Sequence, residues 1–386
     1  MNGQVAIVGV ADTEVGVVPG RSPTELCVEA ALLALADAGL DKGDVDGLIT
    51  CNSFAEPIMY HAEAVAEYLQ IFPSTCMTVN TGGGTTVSVL RHAAAAILSG
   101  AARTIVISKA DSLRSFMSRE QAMLTQSSTG HPQYEQPYGP SVPAYYALIA
   151  QAHMAEYGTT AAQFAEAAVS ARLHAERNPA AQMRERITVE DVLASRLIAD
   201  PLRLLDCSLV SDGGAALVVT SAEHARDLPH APVYLLGFGE AHSHEHISQA
   251  ASLTTSAAVQ SGERAFTQAG LAPADMDFAQ IYDCFTPTVL VQLEDLGFCA
   301  KGEGGAYLQS GVTRPGGGLP VNTHGGMLAH CHPGNPGAMF AITEAVWQLR
   351  HTAGARQVPE AAFGLVHAQG GIMSSHATVI LGREHA

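Results

Sequence analysis

The sequence predicts an α/β protein made of two copies of one unit, and two observations carry that expectation. Short apolar runs alternate along the chain with segments of helical period, the pattern of sheets covered by helices and mostly parallel within each copy. Two motifs also recur in the same order. Ala38-Gly39-Leu40-x-x-x-Asp44-Val45-Asp46 matches Ala269-Gly270-Leu271-x-x-x-Asp275-Met276-Asp277, and Val79-Asn80-Thr81-Gly82-Gly83-Gly84 matches Val321-Asn322-Thr323-His324-Gly325-Gly326. One such match can arise by chance; two in register indicate duplication. The halves are expected at 1–228 and 229–386, with the two VNTxGG turns facing each other across a polar site.

In order, Val5 to Val10 reads as a buried strand ending in glycine. A helix is expected from Ser22 to Gly39, with Ser22 as N-cap, Pro23 in the first turn and Glu25 completing a capping box. Strands at 45–50 and 75–79 flank a helix at 60–70. Thr85 to Ser99 is apolar on most faces and so belongs in the core. Its N-terminus follows Gly82, Gly83 and Gly84, so unpaired N–H groups and the positive end of the dipole point over that turn. A strand at 103–109 closes the unit. Residues 111–206 break the pattern: Tyr134, Tyr138, Tyr145 and Tyr146 lie among prolines and glycines, with amphipathic helices near 142–157 and 160–177. This stretch is expected to be an inserted lid. Strands are then expected at 215–220, from 233, at 276–282, 363–367 and 377–382, with helices at 258–270, 286–297 and 339–350.

The chain has 386 residues, 47% of them hydrophobic and 15% charged, and a formal net charge of −17. Its only lysines are Lys42, Lys109 and Lys301. Such a surface repels phosphate backbones and anionic lipid, which argues against nucleic-acid and membrane partners. The stretch MNGQVAIVGVADTEVG lacks the features of a signal peptide, and no apolar run approaches the roughly 20 residues of a membrane helix. Seven cysteines without a C-x-x-C pair predict reduced thiols and a cytoplasmic location.

Residues 321–338, VNTHGGMLAHCHPGNPGA, combine four glycines with His324, His330, His332 and Cys331 ahead of a helical run. Glycine permits close backbone approach and imidazole moves protons near neutral pH, so this stretch is the expected active-site loop. Alternating histidines at His330-x-His332 and His242-x-His244-x-His246 raise a metal reading, but no carboxylate or cysteine set completes either site, and no metal is expected.

Taken together these residues resemble the thiolase superfamily, in the branch similar to the thiolase part of sterol carrier proteins. Gly325-Gly326-x5-His332-Pro333 fits the stretch that carries the thiolase catalytic histidine, and Tyr282-Asp283-Cys284-Phe285 falls where that branch has H-D-C-F. The resemblance implies a five-layer αβαβα fold, a homodimer, an acyl-CoA thioester as substrate and no tightly bound cofactor. Both thiolase cysteines are replaced: the nucleophile position falls on Gly83, with Gly84 the nearest other choice, and the second falls on Ala368. Covalent transfer through a cysteine therefore loses its support. Gly82 to Gly84, Tyr282 to Pro287 and Asn322 to Gly326 resemble the steroid side-chain-cleaving aldolases of the superfamily, which pair with an OB-fold, zinc-ribbon protein. Those aldolases carry a tyrosine where this chain has His332. The resemblance implies retro-aldol cleavage of a branched or steroid-type β-hydroxyacyl-CoA, with Tyr282 and His332 sharing proton transfer and His324 assisting. Gly83, Gly84, Gly370 and Asn322 are the expected substrate-binding positions, backbone N–H groups holding the enolate oxygen. Two alternatives stay open: a CoA-dependent thiolase or acyltransferase with Cys331 or Cys284 as a relocated nucleophile, and a non-catalytic subunit that binds acyl-CoA.

Overall fold

The computed structural model describes residues 3–118, 120–121, 124–125 and 129–384; positions 119, 122–123 and 126–128 of the expected lid lie outside the described residues. The elements run β1 (Val5–Asp12), α1 (Pro23–Ala38), β2 (Gly47–Thr50), α2 (His61–Leu69), β3 (Thr75–Thr78), α3 (Thr85–Leu98), β4 (Thr104–Ser112), α4 (Leu113–Phe116), α5 (Val142–Tyr157), α6 (Ala161–Ala175), α7 (Val189–Ala194), β5 (Leu197–Ala199), β6 (Leu202–Arg203), β7 (Asp212–Ser221), α8 (Ala222–Ala225), β8 (Val233–His242), α9 (Ala258–Ala269), β9 (Phe278–Ile281), α10 (Thr286–Asp295), α11 (Gly304–Gln309), α12 (Gly326–Ala329), α13 (Met339–Leu349), β10 (Phe363–Gly370) and β11 (Ser375–Gly382). The capping box at Ser22 forms, with the Ser22 hydroxyl accepting from the Glu25 N–H at 3.2 Å and the Glu25 carboxylate accepting from the Ser22 N–H at 2.8 Å.

Nine strands run in the order β3-β2-β4-β7-β1-β8-β11-β10-β9, and the order is a repeat reflected about the β1–β8 pair. β2 lies between β3 and β4, parallel to both, and β4, β7 and β1 follow antiparallel. β9 lies parallel to β10, with β11 and β8 following antiparallel. Val321 bridges to Ala279 in parallel, in the place that β3 takes beside β2. The repeated motif has a physical reason. Asp46 accepts the N–H groups of Arg103 and Thr104 at 2.9 and 2.8 Å, pinning the start of β4, and Asp277 accepts those of Ala362 and Phe363 at 2.7 and 2.9 Å, pinning the start of β10.

The sheet is mixed rather than mostly parallel. Each repeat ends in an antiparallel return, which in the second half is the short turn between β10 and β11 and in the first is the whole stretch between β4 and β7. The stretch between β4 and β7 thus takes the place of a hairpin turn, which alternation of helix and strand could not reveal.

α1 covers β1, β4 and β7 on one outer face, and α9 covers β8 and β11. Between the two sheet halves lie α3, against β4, β7, β10 and β11, and α13, against β1, β7, β9 and β10. This is the expected αβαβα layering, and it explains why α3 and α13 are apolar on nearly every face. No helix of the described residues is long and apolar enough to cross a membrane.

In the lid stretch, α6 packs on α10, α11 and α12. α5 is fixed by His153, whose ring nitrogens lie 3.0 Å from Glu294 and 2.8 Å from Thr159. Glu135 ties the loop before α5 down by accepting the N–H groups of His131 and Ser248 at 2.9 and 2.8 Å.

Candidate active site

Tyr282 follows β9 directly, and its place is fixed by Asn322. The Asn322 amide accepts the Ile281 N–H at 2.8 Å and donates to the Ile281 carbonyl at 2.9 Å, imitating a neighbouring strand. Its oxygen and nitrogen are both engaged there, so Asn322 holds the strand end in position rather than presenting an amide to a ligand. The Tyr282 carbonyl accepts from Gln292 at 2.8 Å. The two VNTxGG turns accordingly meet through residues 281–283: Asn322 clasps Ile281, while the other turn lies under the Tyr282 ring.

Gly83 explains the missing cysteine. A Cβ built there would collide with the Tyr282 hydroxyl, would stand 2.6 Å from Cε2 of the same ring and would be 2.5 Å from the Gln369 carbonyl oxygen. Gly84, by contrast, is the N-cap of α3, and a Cβ there would come no closer than 3.4 Å to its nearest neighbour, the Ser375 carbonyl oxygen. It is therefore Gly83 that faces Tyr282, and the phenol fills the volume a side chain at 83 would need. Behind it the two glycine turns touch backbone to backbone: a Cβ on Gly82 would lie 3.0 Å from both the Gly370 Cα and the Gly371 nitrogen. Gly370 is thus beside the head of α3, where the sequence places it.

His332 meets Tyr282 from the opposite wall, its Nε2 3.4 Å from the phenolic oxygen and the rings nearly perpendicular at 88°. Its Nδ1 lies 2.8 Å from the Ser208 hydroxyl and its N–H donates to Ser211 at 3.0 Å. The ring is half-buried, and desolvation lowers its pKa to about 4, so it is neutral near pH 7. Desolvation, with the Cys284 and Asp283 side chains adding to it, raises Tyr282 well above the ordinary phenol range. Tyr282 therefore keeps its proton beside a neutral imidazole.

Residues 5–223 match the thiolase N-terminal domain family and residues 239–383 the thiolase C-terminal domain-like family. The chain belongs to the thiolase family. It is 40% identical over 371 residues to the 17-hydroxy-3-oxo-4-pregnene-20-carboxyl-CoA lyase of Mycobacterium tuberculosis, covering 92% of this chain and 93% of that one. It is 34% identical to the acetyl-CoA acetyltransferase of Methanothermobacter thermautotrophicus, over 98% of this chain and 99% of that one. Among solved structures the Ltp2-ChsH2(DUF35) aldolase superposes with a TM-score of 0.88 at 36% identity, covering 98% of both chains.

Within this thiolase fold the other sequence-selected residues separate. His324 does not join Tyr282 and His332. It is buried against His330 at 5.4 Å between ring centroids, its Nδ1 has no hydrogen-bond partner among the described residues, and burial lowers its pKa to about 3. Its backbone carbonyl instead accepts from Asn178 at 2.9 Å, so the residue supports the loop. Cys284 and Cys331 are 5% and 1% exposed. Burial pushes the Cys284 thiol up to about 12 and that of Cys331 well above its usual value, so neither is a thiolate near neutral pH. The alternating histidines disperse: His330 packs on Phe340, His242 lies 2.8 Å from Ser375, and His244 faces the Ile372 carbonyl.

Four residues near the pair escaped the sequence reading as site residues. Ser208 orients His332. Tyr146, from α5, donates to the Gly371 carbonyl at 3.0 Å, accepts from Gln369 at 2.8 Å and stacks on Phe285, so α5 is clipped to the glycine turn. Gln369 also donates to the Cys284 sulfur at 3.3 Å. Asp283, 1% exposed, accepts the N–H groups of Met327 and Leu328 at 2.8 and 3.3 Å and so anchors the start of the loop that ends in His332. Only Asp283 carried a signal, as the acid of the Y-D-C-F motif.

Desolvation raises Asp283 from the usual 3.8 to about 7, and hydrogen bonds from Met327 and Leu328 lower it only in part. Between those two pH values the folded chain holds a proton that the unfolded chain has released, so stability from this group is present at low pH and lost as pH rises through about 7. Relative to Asp283→Asn, the wild-type protein is expected to lose about 2–3 kcal/mol of unfolding free energy between pH 5 and pH 7. Urea titrations of both proteins across that range measure it; a pH-independent difference contradicts the shifted carboxyl.

Proposed function

We propose that the protein cleaves a β-hydroxyacyl-CoA by a retro-aldol reaction, without a cysteine nucleophile. The observation that carries this reading is the Tyr282 phenol standing in the volume above Gly83, paired with a neutral His332. With Nδ1 protonated and donating to Ser208, His332 Nε2 presents its lone pair to the phenol. The β-hydroxyl proton passes to the Tyr282 oxygen as the phenol proton passes to Nε2. The Cα–Cβ bond then breaks, its electron pair moves into the thioester enolate, and a ketone or aldehyde forms at Cβ. Return of the proton along the same pair to Cα releases the shortened acyl-CoA. N–H groups at Gly83, Gly84 and Gly370, with the positive end of α3 behind them, stabilise the enolate oxygen.

The steroid-carboxyl-CoA lyase relative supports a bulky, branched acyl group, and the Ltp2-ChsH2(DUF35) aldolase supports a second polypeptide of OB-fold, zinc-ribbon type. A homodimer through the edge strand β3 fits the apolar surface around it: Phe72 is 99% exposed, Met59 81%, Tyr60 66% and Tyr68 65%. Seven free thiols fit a cytoplasmic location. We divide the chain at 228/229, with 111–206 as the lid. The acetyltransferase relative favours a second reading, CoA-dependent thiolysis of a β-ketoacyl-CoA.

The two are separated by incubating the protein, alone and co-expressed with an OB-fold partner, with β-hydroxyacyl-CoA and β-ketoacyl-CoA thioesters. Free CoA is first omitted and then added, and products are read by mass spectrometry. A carbonyl product with a shortened acyl-CoA, formed without free CoA, is the expected result. Cleavage confined to β-keto substrates and dependent on CoA overturns it in favour of thiolysis.

A further inference from the structure

Lys109, on β4, is a completely enclosed lysine with none of its surface exposed. An ammonium is among the costliest groups to remove from water, and its contacts are neutral. Nζ donates to the Thr86 hydroxyl at 2.8 Å and to the Asn335 carbonyl at 3.1 Å. The Cys51 and Cys27 thiols lie nearby, and burial pushes both up, away from the thiolate form. The two acceptors belong to different parts of the site. Thr86 is in the first turn of α3, three residues past Gly83; Asn335 opens the 3-10 turn Asn335–Ala338, three residues past His332. The Asn335 carbonyl also receives a long contact, 3.4 Å, from the Thr86 hydroxyl. β4 itself is held between β2 and β7.

We infer that Lys109 is a positioning residue that sets the distance between the glycine turn heading α3 and the loop bearing His332. A lysine suits this task because one flexible stem delivers several donors to a single interior point. Being enclosed, Lys109 does not touch substrate and acts through the two backbones it joins. The catalytic consequence rests on the reading that the Gly83 turn and His332 work on one substrate, and an error of about 1 Å between such groups costs on the order of 10²-fold in rate.

Two measurements on the full chain test this. In Lys109→Met, kcat for β-hydroxyacyl-CoA cleavage is expected to fall about 10²-fold with KM within about threefold. In the free protein, hydrogen exchange should quicken together in 84–88 and 332–338 while 104–108 of β4 stays protected. A lysine that only fills space would lower the melting temperature, speed exchange evenly around β4 and leave kcat within a few fold; that pattern overturns the inference. If Lys109→Met does not fold, Thr86→Val removes one acceptor only. It should slow turnover roughly tenfold, a fraction of the full misplacement effect, and loosen 332–338, and no change in either overturns the inference. Because exchange is read without substrate, a wild-type protein with no lyase turnover would end the proposed function and still leave Lys109 decided.

Discussion

Tyr282→Phe is expected to lower kcat for β-hydroxyacyl-CoA cleavage by about 10³-fold with little change in KM, within the 10²–10⁴-fold range that a positioned proton-transfer group supplies. The substitution removes only the oxygen that stands 3.4 Å from His332 Nε2, so the ring still fills its space and the loss is one of chemistry rather than packing. His332→Ala should cost a similar factor, and the double variant little more than either alone, because the two groups move one proton as a unit. The pH profile gives an independent check. Burial places His332 at about 4 and raises Tyr282 above its usual range. Rate is therefore present above pH 4, falls only as pH drops through about 4, and shows no imidazole limb near 6.5. Steady-state kinetics of the three variants measure this. Additive losses in the double variant, or full activity in Tyr282→Phe, would remove the shared relay.

Most of the fold was readable from local signals because they agreed with the tertiary arrangement. The capping box at Ser22 began a helix, the apolar run after Gly84 lay in the middle layer, and the Asp46 and Asp277 motif recurred because each half must pin the strand beside it. What failed to show was pairing over long sequence distance. The antiparallel β4–β7 return is separated by the whole lid, and no residue pattern within β4 or β7 encodes a partner that far away. At the site, Tyr282, His332 and the Gly83 turn stood out because each belongs to a short motif with unusual chemistry. Asn322 and His324 shared such a motif and were read alike, yet one spends its amide on Ile281 and the other turns its ring toward His330. Ser208 and Tyr146 escaped because a lone serine or a lid tyrosine acquires its role only from what folding sets beside it.

The second large effect concerns Gly83, whose replacement should be destabilising and disabling together. In Gly83→Ala the new methyl meets the Tyr282 ring and hydroxyl on one side and the Gln369 carbonyl on the other. Overpacking of this kind costs about 1–3 kcal/mol, and the phenol, being the side chain, is what yields. Once displaced it loses His332, so kcat should fall at least 10²-fold, the scale of a 1 Å misplacement. The argument has a consequence for Gly83→Cys: restoring a cysteine at the thiolase position should not restore thiolysis, because the phenol already occupies its space. In a Tyr282→Ala background the conflict with the ring is relieved, while the Gln369 carbonyl, 2.5 Å from the new methyl, still has to shift. The stability loss from Gly83→Ala should therefore be smaller in Tyr282→Ala than in wild type, the difference being the share due to the ring. Urea unfolding of the four proteins in that cycle measures it. Equal losses in both backgrounds would mean that glycine at 83 answers to the Gln369 backbone alone, and that the cysteine and the tyrosine do not compete for one volume.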